Sequence, residues 1–586
     1  MYRPNIINSI LNLYGNIDFK RRFQLIILIF LNLINGVLEF VTLSSASLFL
    51  ESLINPSSVI EKIKWTESFS LYLSNNIVQK TTFIFIFLII LSTSLRIFNL
   101  WISMKFRVSL LVYLESKVYK NIIHQELDYH INTSSTKIIN DLTRNIDKAN
   151  FFIENLLSLI TCIILSISLV IGLINLSFSI TIFTVIMLSV LYTFIGIITS
   201  KKVKIYGKYE LRSSQEFLQI IQESLGAIKE IILSGKQKFF LQKYNEASYI
   251  SRKYQGLSGF VTTFPRYLFE GVGLIVIGLA GYIVFSNMGK DIVPLIGTFA
   301  LGAQKLLPSM QTVYRSWQLL FFYDEGLKRV LKLIKLNYQK LDKKQINAIN
   351  FNKEIIIKNL FYKYKNSDSF SLKNINLVIK KGENIGIMGI TGSGKTTFIN
   401  ILMGLQKPSA GEILVDGRNI FESENLEYLY SWRKNINHVP QKIYLTNSTL
   451  VNNIALGIPQ PKIDFKKINF SIKKACLEDL IRQRNSNIFL LVGEDGIKLS
   501  GGQKQRIGIA RAIYNDLDII ILDESTNALD HDTEAEIMKN IYNLPNKKTT
   551  ITISHSKNAL LTCDRIIEFR KGKIYKITSK EEFKTN

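Results

Sequence analysis

The sequence predicts two unlike halves: a bundle of six long apolar helices, then an α/β domain with a parallel sheet at its centre. Three observations carry this. Residues 1 to about 320 are dominated by Ile, Leu, Phe and Val runs. A strand, a glycine-rich loop and a helix follow one another from residue 384. A wholly apolar strand, Ile519-Ile520-Ile521-Leu522, ends in two acids, as a strand buried in a parallel sheet does. At 586 residues the chain is too long for one domain. Its mean hydropathy of +0.17 averages over both halves and describes neither.

Spanning a bilayer core takes about 20 mostly apolar residues. Six segments meet this: 23–50, 81–104, 151–175, 178–199, 260–285 and 292–322. The last two contain polar residues and prolines, so their limits are soft. The connectors near 105–150 and 201–256 are long and rich in Lys and Arg, which places them in the cytoplasm. Those near 174–177 and 286–291 are short, and the 51–80 connector carries charges of both signs. Six spans then bring the chain back to the cytoplasm, so both termini and the α/β domain are expected there. Phe106 to His124 and Gln215 to Tyr244 carry apolar residues at 3–4 spacing, which predicts helices that continue past the bilayer. Short crosspieces are expected near Glu126–Ser134 and Glu223–Ile232, as docking points for the second domain. The N-terminus shows no cleavable signal; Lys20-Arg21-Arg22 before the first apolar run predicts a retained anchor with its start inside.

The formal net charge of +26 admits nucleic-acid binding, but the basic residues are dispersed and no aromatic-interleaved groove accompanies them. A basic cytoplasmic face beside anionic lipid accounts for the charge, and no nucleic-acid partner is expected. Cys162, Cys476 and Cys563 have neither metal-site nor disulfide spacing. Glu39, Arg96, Arg266, Glu270 and Lys305 stand within or beside apolar runs. Such charges face a wet cavity or a partner. They form either a partly basic substrate path or internal ion pairs, for instance Arg266 with Glu270 at i, i+4.

In the second half, Glu354-Ile355-Ile356-Ile357 and Ile375 to Ile379 read as strands. Asn384 to Met388 is a strand running into Gly389-Ile390-Thr391-Gly392-Ser393-Gly394-Lys395-Thr396, and Thr397 to Leu402 starts a helix. This is the setting of a phosphate-binding loop, where glycines let backbone N–H groups converge on phosphate oxygens at a helix N-terminus. Lys395 is expected to reach the β- and γ-phosphates, and the Thr396 hydroxyl to ligate Mg²⁺. Asp523, at a strand end, is expected to hold the Mg²⁺ shell through water, and Glu524 to polarise the attacking water.

Leu499-Ser500-Gly501-Gly502-Gln503 resembles the signature motif of ATP-binding cassette (ABC) proteins. The whole chain resembles half-size exporters: an exporter-type membrane domain over 1–335, a linker over 336–351, and a P-loop NTPase nucleotide-binding domain with an α-helical subdomain over 352–586. The resemblance implies roles at matching positions. Tyr364 stacks on adenine, and Gly389, Thr391, Gly392, Ser393, Gly394, Lys395, Thr396 and Thr397 cradle ATP. Gln441 contacts Mg²⁺ and water. Ser500 and Gly502 face the γ-phosphate held by another subunit, Gly501 and Gln503 belong to the same ATP-binding set, and Asp530 communicates across the dimer. His555 is the switch residue on the γ-phosphate, and Gly493-Glu494-Asp495-Gly496 matches an exporter loop that senses the membrane domain. The catalytic set is Glu524, His555, Gln441 and Lys395; ATP and Mg²⁺ are the implied cofactors. Two departures stand out. Asn527 opens the aspartate loop where Ser is usual, and Ser556 follows His555 where Arg is common. With one glycine loop and one signature per chain, a homodimer is the simplest way to complete a site, a heterodimer with a relative being the alternative.

Local matches extend to the lipid-linked oligosaccharide flippase of bacterial N-glycosylation. They lie in Phe264-Pro265-Arg266-Tyr267-Leu268-Phe269-Glu270-Gly271, in Leu95-Arg96 and in Leu306-Leu307-Pro308-Ser309. That resemblance implies a pyrophosphate-binding cavity lined by Arg96, Arg266 and Lys305, an anionic lipid-linked glycan as substrate, and a place in the bacterial inner membrane. It also makes the 51–80 connector an outward-facing guide for the lipid tail. Lys305 stands where a third Arg would be and lacks the bidentate fork. A multidrug, lipid A-type or peptide exporter would share every cassette residue, although no peptidase-like segment precedes the first span. An ATP-gated channel or regulator would often carry a degraded site, and Glu524 argues against that.

Overall fold

A computed structural model of the chain describes residues 6–54, 56, 76–175, 178–288, 293–338, 347–364, 367–422, 426–483 and 487–585. It divides into two units, Met1–Gln125 with Tyr129–Tyr338, and Glu126–Asp128 with Gln339–Asn586.

The first unit is helical. Its elements are α1 (Ile6–Asn16), α2 (Phe19–Ile54), α3 (Ile77–Ile123), α4 (Leu127–Asn132), α5 (Ser135–Leu142), α6 (Arg144–Ile174), α7 (Phe178–Gly226), α8 (Ile228–Ser234), α9 (Gln237–Met288) and α10 (Val293–Ile334). Four expected spans lie inside longer helices, 151–175 overruns α6 by one residue and 293–322 lies in α10, and α3, α7 and α9 run well past the apolar stretch as the 3–4 spacing predicts. The crosspieces are α4 and α8, the second a few residues later than expected. Among the described residues, α2, α3, a stretch containing α6, and α7 are long and apolar enough to cross a membrane. Residue 292 of the last span falls outside the described residues, as do most of the 51–80 connector and half of the linker.

The burial pattern of this unit follows from its two solvents. Phe83, Phe87 and Phe194, within apolar runs, are each over 60% exposed, which water would not tolerate on this scale but a bilayer does. Leu110, Leu114, Val118, Phe152, Leu320, Leu327 and Val330, toward the basic ends of their helices, are buried together in one core. The amphipathic helix α1 was not expected from the sequence. It buries Ile6, Ser9 and Leu13 at 3–4 spacing, and Ser9 donates to Asp324 at 2.6 Å.

Helices approach closely where glycines allow it. A Cβ on Gly207 of α7 would lie 2.3 Å from the carbonyl oxygen of Phe322 on α10. Nothing lies within 4 Å of a Cβ on Gly256.

The second unit contains two sheets. β1 (Glu354–Tyr362), β2 (Leu372–Lys380), β4 (Ala410–Val415) and β5 (Arg418–Asn419) form an antiparallel sheet in the order β2-β1-β4-β5. The other sheet, in the order β10-β9-β3-β8-β7-β6, is built from β3 (Asn384–Met388), β6 (Ile436–Val439), β7 (Ile519–Asp523), β8 (Thr549–Ile553), β9 (Arg565–Arg570) and β10 (Lys573–Ser579). Its five strands from β9 to β6 are parallel. Helix α11 (Lys395–Leu402) packs with both sheets in one core through Phe398, Ile399 and Ile401. A second core belongs to α13 (Leu450–Ile454), α14 (Phe465–Lys474), α15 (Glu478–Arg482), α16 (Gly501–Asn515) and α17 (His531–Tyr542), with α12 (Leu426–Arg433) on the first. The chain ends in α18 (Lys557–Leu560) and α19 (Lys580–Thr585). Every strand read from the sequence is present, and β7 extends one residue further to include Asp523.

Gly207→Ala should destabilise the membrane unit by about 1–3 kcal/mol through overpacking, seen as a lower melting midpoint in detergent. Gly256→Ala should leave the midpoint unchanged or raise it, since an open helical position gains up to about 1 kcal/mol from Ala.

Candidate functional site: a nucleotide pocket at the strand ends

Parallel pairing sends the carboxyl ends of β3, β8, β7 and β6 to one edge of the sheet, where ligands of open α/β sheets bind. The ends of those strands and the segments that follow them hold Gly389–Gly394, His555, Asp523-Glu524 and Gln441. Motifs separated by up to 166 positions in the chain therefore meet.

The loop after β3 requires its glycines. Gly389 has φ 150°, and a Cβ there would lie 2.4 Å from the carbonyl oxygen of Phe569. Gly392 has φ 80° with open space beside it, which leaves the loop's outer side free for a ligand to approach the backbone. Lys395, the first residue of α11, is buried, and its Nζ donates to the carbonyl oxygens of Gly389 at 2.5 Å and Ile390 at 3.3 Å. Burial pulls its pKa below the usual lysine value, against the pull of Glu524 and Asp523. The Ser393 hydroxyl is buried with no hydrogen-bond partner among the described residues. A buried ammonium held only by carbonyls and an orphaned hydroxyl are groups that an anion at this loop would satisfy. Thr391 and Thr396 are exposed on the loop and the first turn of α11, while Thr397 is buried and its Oγ1 lies 2.9 Å from the Tyr364 hydroxyl. That bond ties Tyr364, the expected adenine platform, to the base of the same loop.

Glu524 collects three partners. Its Oε2 accepts from Gln441 Nε2 at 2.8 Å and from Asn527 Nδ2 at 3.3 Å, and its Oε1 lies 3.2 Å from His555 Nε2. Its backbone turns through φ 48° at the end of β7, a left-handed conformation that a non-glycine residue adopts at a cost of order 1 kcal/mol. The Asn527 contact was not anticipated; the signal was the Asn itself, where the resemblance led one to expect Ser. Beside it, burial and the neighbouring Glu524 raise the pKa of Asp523, while Lys395 opposes them.

Mg²⁺ fits the oxygen donors present. Thr396 hydroxyl, Gln441 amide and Asp523 carboxylate are hard ligands, and among the described residues no group of three or more His, Cys, Asp or Glu competes as a protein-only metal cage. A cation bound mainly by phosphate oxygens and water needs no more.

The signature residues form a second neighbourhood. Ser500 caps α16 with a full capping box, its Oγ accepting from Gln503 N at 3.2 Å and its N–H donating to Gln503 Oε1 at 2.9 Å. A Cβ on Gly502 would lie 2.9 Å from the Ala528 carbonyl oxygen, with Gly501 also against Ala528. Asp530 caps α17 by accepting from Thr533 N at 3.0 Å. Among the described residues no side-chain hydrogen bond joins Ser500, Gln503 or Asp530 to the glycine loop.

In the membrane unit, Glu39 is 1% exposed and is shared by two cations. Arg96 Nε stands 3.0 Å from Oε1 and Lys305 Nζ 2.7 Å from Oε2, while Ser92 donates to Oε1 at 2.8 Å. The sequence listed these charges without linking them. Arg96 also lines a cavity of about 360 Å³ with Asn32, Asn35, Asn99 and Arg107. Arg266 pairs with Glu270 at 2.8 Å, and Gln311 donates to the same carboxylate. The structure thus gives each of the three expected cavity cations a carboxylate partner, and it does not join Arg266 to the Glu39 cluster by any described hydrogen bond or ion pair.

The comparisons with known proteins agree with this architecture. The family model for the ABC transporter transmembrane region matches residues 25–299, and the model for the ABC transporter itself matches residues 372–527. The chain belongs to the ABC transporters: a helical transmembrane domain followed by an ATP-binding cassette. Within them it is a half-size exporter and an ATP-hydrolysing translocase. It is 28% identical to an ATP-dependent lipid A-core flippase of Legionella pneumophila (strain Paris) over 80% of this chain and 79% of that protein. It is 38% identical to the alpha-hemolysin translocation ATP-binding protein HlyB of Escherichia coli, over 38% of this chain and 31% of that protein. A solved bacterial Atm1-family ABC exporter with ATP bound shares the fold at TM-score 0.75 and 19% identity, covering 94% of this chain and 95% of that one.

The raised pKa of Asp523 means that its ionised form costs folding energy above that value and none below 3.8, where both states are protonated. Asp523→Asn should therefore raise the melting midpoint of the nucleotide-free protein at pH 7, and the gap should close as pH falls through the raised value. The same variant should lose most of the stabilisation that Mg²⁺-ATP confers.

Proposed function

We propose that this exporter moves an anionic, phosphate-bearing glycolipid across the bacterial inner membrane, and that a lipid-linked oligosaccharide with a pyrophosphate bridge is the substrate of choice. The Glu39 cluster is the observation that carries this. One carboxylate between Arg96 and Lys305 leaves a net positive charge within a membrane-spanning bundle, beside a polar cavity. A charge there is expensive and is kept for a partner. The flippase likeness supports a second form of the same reading, with a lipid A-type glycolipid as cargo. Both are phosphorylated amphiphiles.

The working form is a homodimer with its termini in the cytoplasm, divided as 1–335, 336–351 and 352–586. The glycine loop of one copy meets Ser500, Gly502 and Asp530 of another, a reading supported by the lack, among the described residues, of any side-chain hydrogen bond joining Ser500, Gln503 or Asp530 to that loop within one chain. Tyr364 stacks on the adenine, and Lys395 with the loop N–H groups binds the β- and γ-phosphates. Glu524 accepts the proton of a water attacking the γ-phosphorus, as the bond to the β-phosphate oxygen breaks. Gln441 and His555 orient that water and the γ-phosphate. Thr396, Gln441 and, through water, Asp523 would hold Mg²⁺, which would supply positive charge against the phosphates. Positioning and electrostatics supply the acceleration.

Glu524→Gln should retain ATP binding and lose at least about 100-fold in turnover; a normal ATPase rate in the purified variant would refute the role of Glu524. In proteoliposomes, Arg96→Gln with Arg266→Gln should abolish glycolipid movement and leave basal ATPase within about twofold, since neither residue belongs to the cassette. Undiminished transport would remove the basic cavity from the proposal.

A further inference from the structure

A larger cavity of about 530 Å³ lies elsewhere in the membrane unit, between α6, α7, α9 and α10. Its walls come from 144–151, 210–217, 248–263 and 315–323, near the basic ends of those helices. Bundles normally fill such a space with apolar side chains. This one contains four cations, Arg144, Lys148, Arg252 and Arg315, against two acids, Asp147 and Glu210.

The acids do not neutralise the wall. Glu210 is buried and committed to Lys148 at 2.6 Å, and it also accepts from Gln255 at 3.2 Å. Gln255 in turn accepts from Arg252 at 3.0 Å. Arg144 lies over the Phe217 ring, 5.0 Å from its centroid. Neither Arg144 nor Arg315 has a carboxylate partner among the described residues. The Ser258 hydroxyl on this wall is 2% exposed and has no hydrogen-bond partner among the described residues. Leaving a hydroxyl buried and unpaired is costly, so an acceptor brought by a ligand would be stabilised there.

We propose that this cavity is a second anion site, separate from the Glu39 cluster, that takes a phosphate-bearing organic molecule. Arg144 and Arg315 hold the phosphate charge, Ser258 donates to one of its oxygens, and the rings of Phe217 and Tyr323 border its apolar part. The volume lies in the range of sites for organic ligands rather than for a bare ion. The assignment does not depend on what the protein transports.

The test uses the full-length protein in nanodiscs, in a Lys395→Ala background so that the nucleotide loop does not bind the probe. Binding of radiolabelled inorganic pyrophosphate is measured at equilibrium. Retention of phosphatidate is measured by native mass spectrometry, against discs of phosphatidylcholine alone. Pyrophosphate binding identifies a free-anion ligand, and phosphatidate retention identifies a lipid headgroup; either supports the site. In each case Arg144→Ala with Arg315→Ala should weaken binding at least about tenfold, and Ser258→Ala about threefold, with unchanged melting. Should the double variant not fold, Arg315→Gln with Ser258→Ala makes the same comparison. Absence of binding by both probes, or binding indifferent to these substitutions, overturns the proposal.

Discussion

Parallel pairing of β3, β8, β7 and β6 is the constraint from which the nucleotide site follows. Each strand ends at the same edge, so the chain must place its four chemical segments there, whatever their separation in sequence. The register sets the result closely. Asp523 pairs with Ile553 and Ile387 with Ile553, so the acid pair, the glycine loop and the segment leading to His555 leave the sheet at one level. A slip of one residue would turn the strand side chains to the opposite face. The near-complete burial of Ile385, Ile387, Ile521 and Ile553 makes such a slip expensive.

The site built there holds unsatisfied polarity. Lys395 rests on its own loop carbonyls, Ser393 Oγ has no partner, and Asp523 is kept in surroundings that disfavour its charge. Each feature leaves a polar or charged group short of a partner it could take. Glu524 is the opposite case, with both oxygens engaged by Gln441, Asn527 and His555.

The membrane unit obeys a different balance. Large apolar residues stay on its surface where lipid is the solvent, and the buried charged residues of its interior, Glu39, Asp141, Lys148, Glu210 and Asp324, each pair with an opposite charge. Glu39, Arg96 and Lys305 come from three different helices, and the cavity beyond Arg315 is walled by four. Low dielectric strengthens each pairing and raises the cost of each cation left without one.

The fold class and the list of chemical residues were legible in the chain itself. Apolar stretches of bilayer length, alternation in the strands and the spacing of Gly389–Thr396 are local properties, written within a few tens of residues. So were the long helical extensions. The amphipathic α1 was not read from the chain, because eleven residues with Ile6 and Leu13 on one face are too short a stretch to stand out beside the long apolar runs. Which charges share a partner was not legible. Glu39 meets Lys305 across 266 positions, and Glu524 meets Gln441 across 83. Arg266 with Glu270 was foreseeable only because one helical turn joins them. Side-chain types and short-range periodicity decide what each segment becomes. Only tertiary packing decides which distant groups are brought within a hydrogen bond, because that choice depends on how helices and strands fill space together.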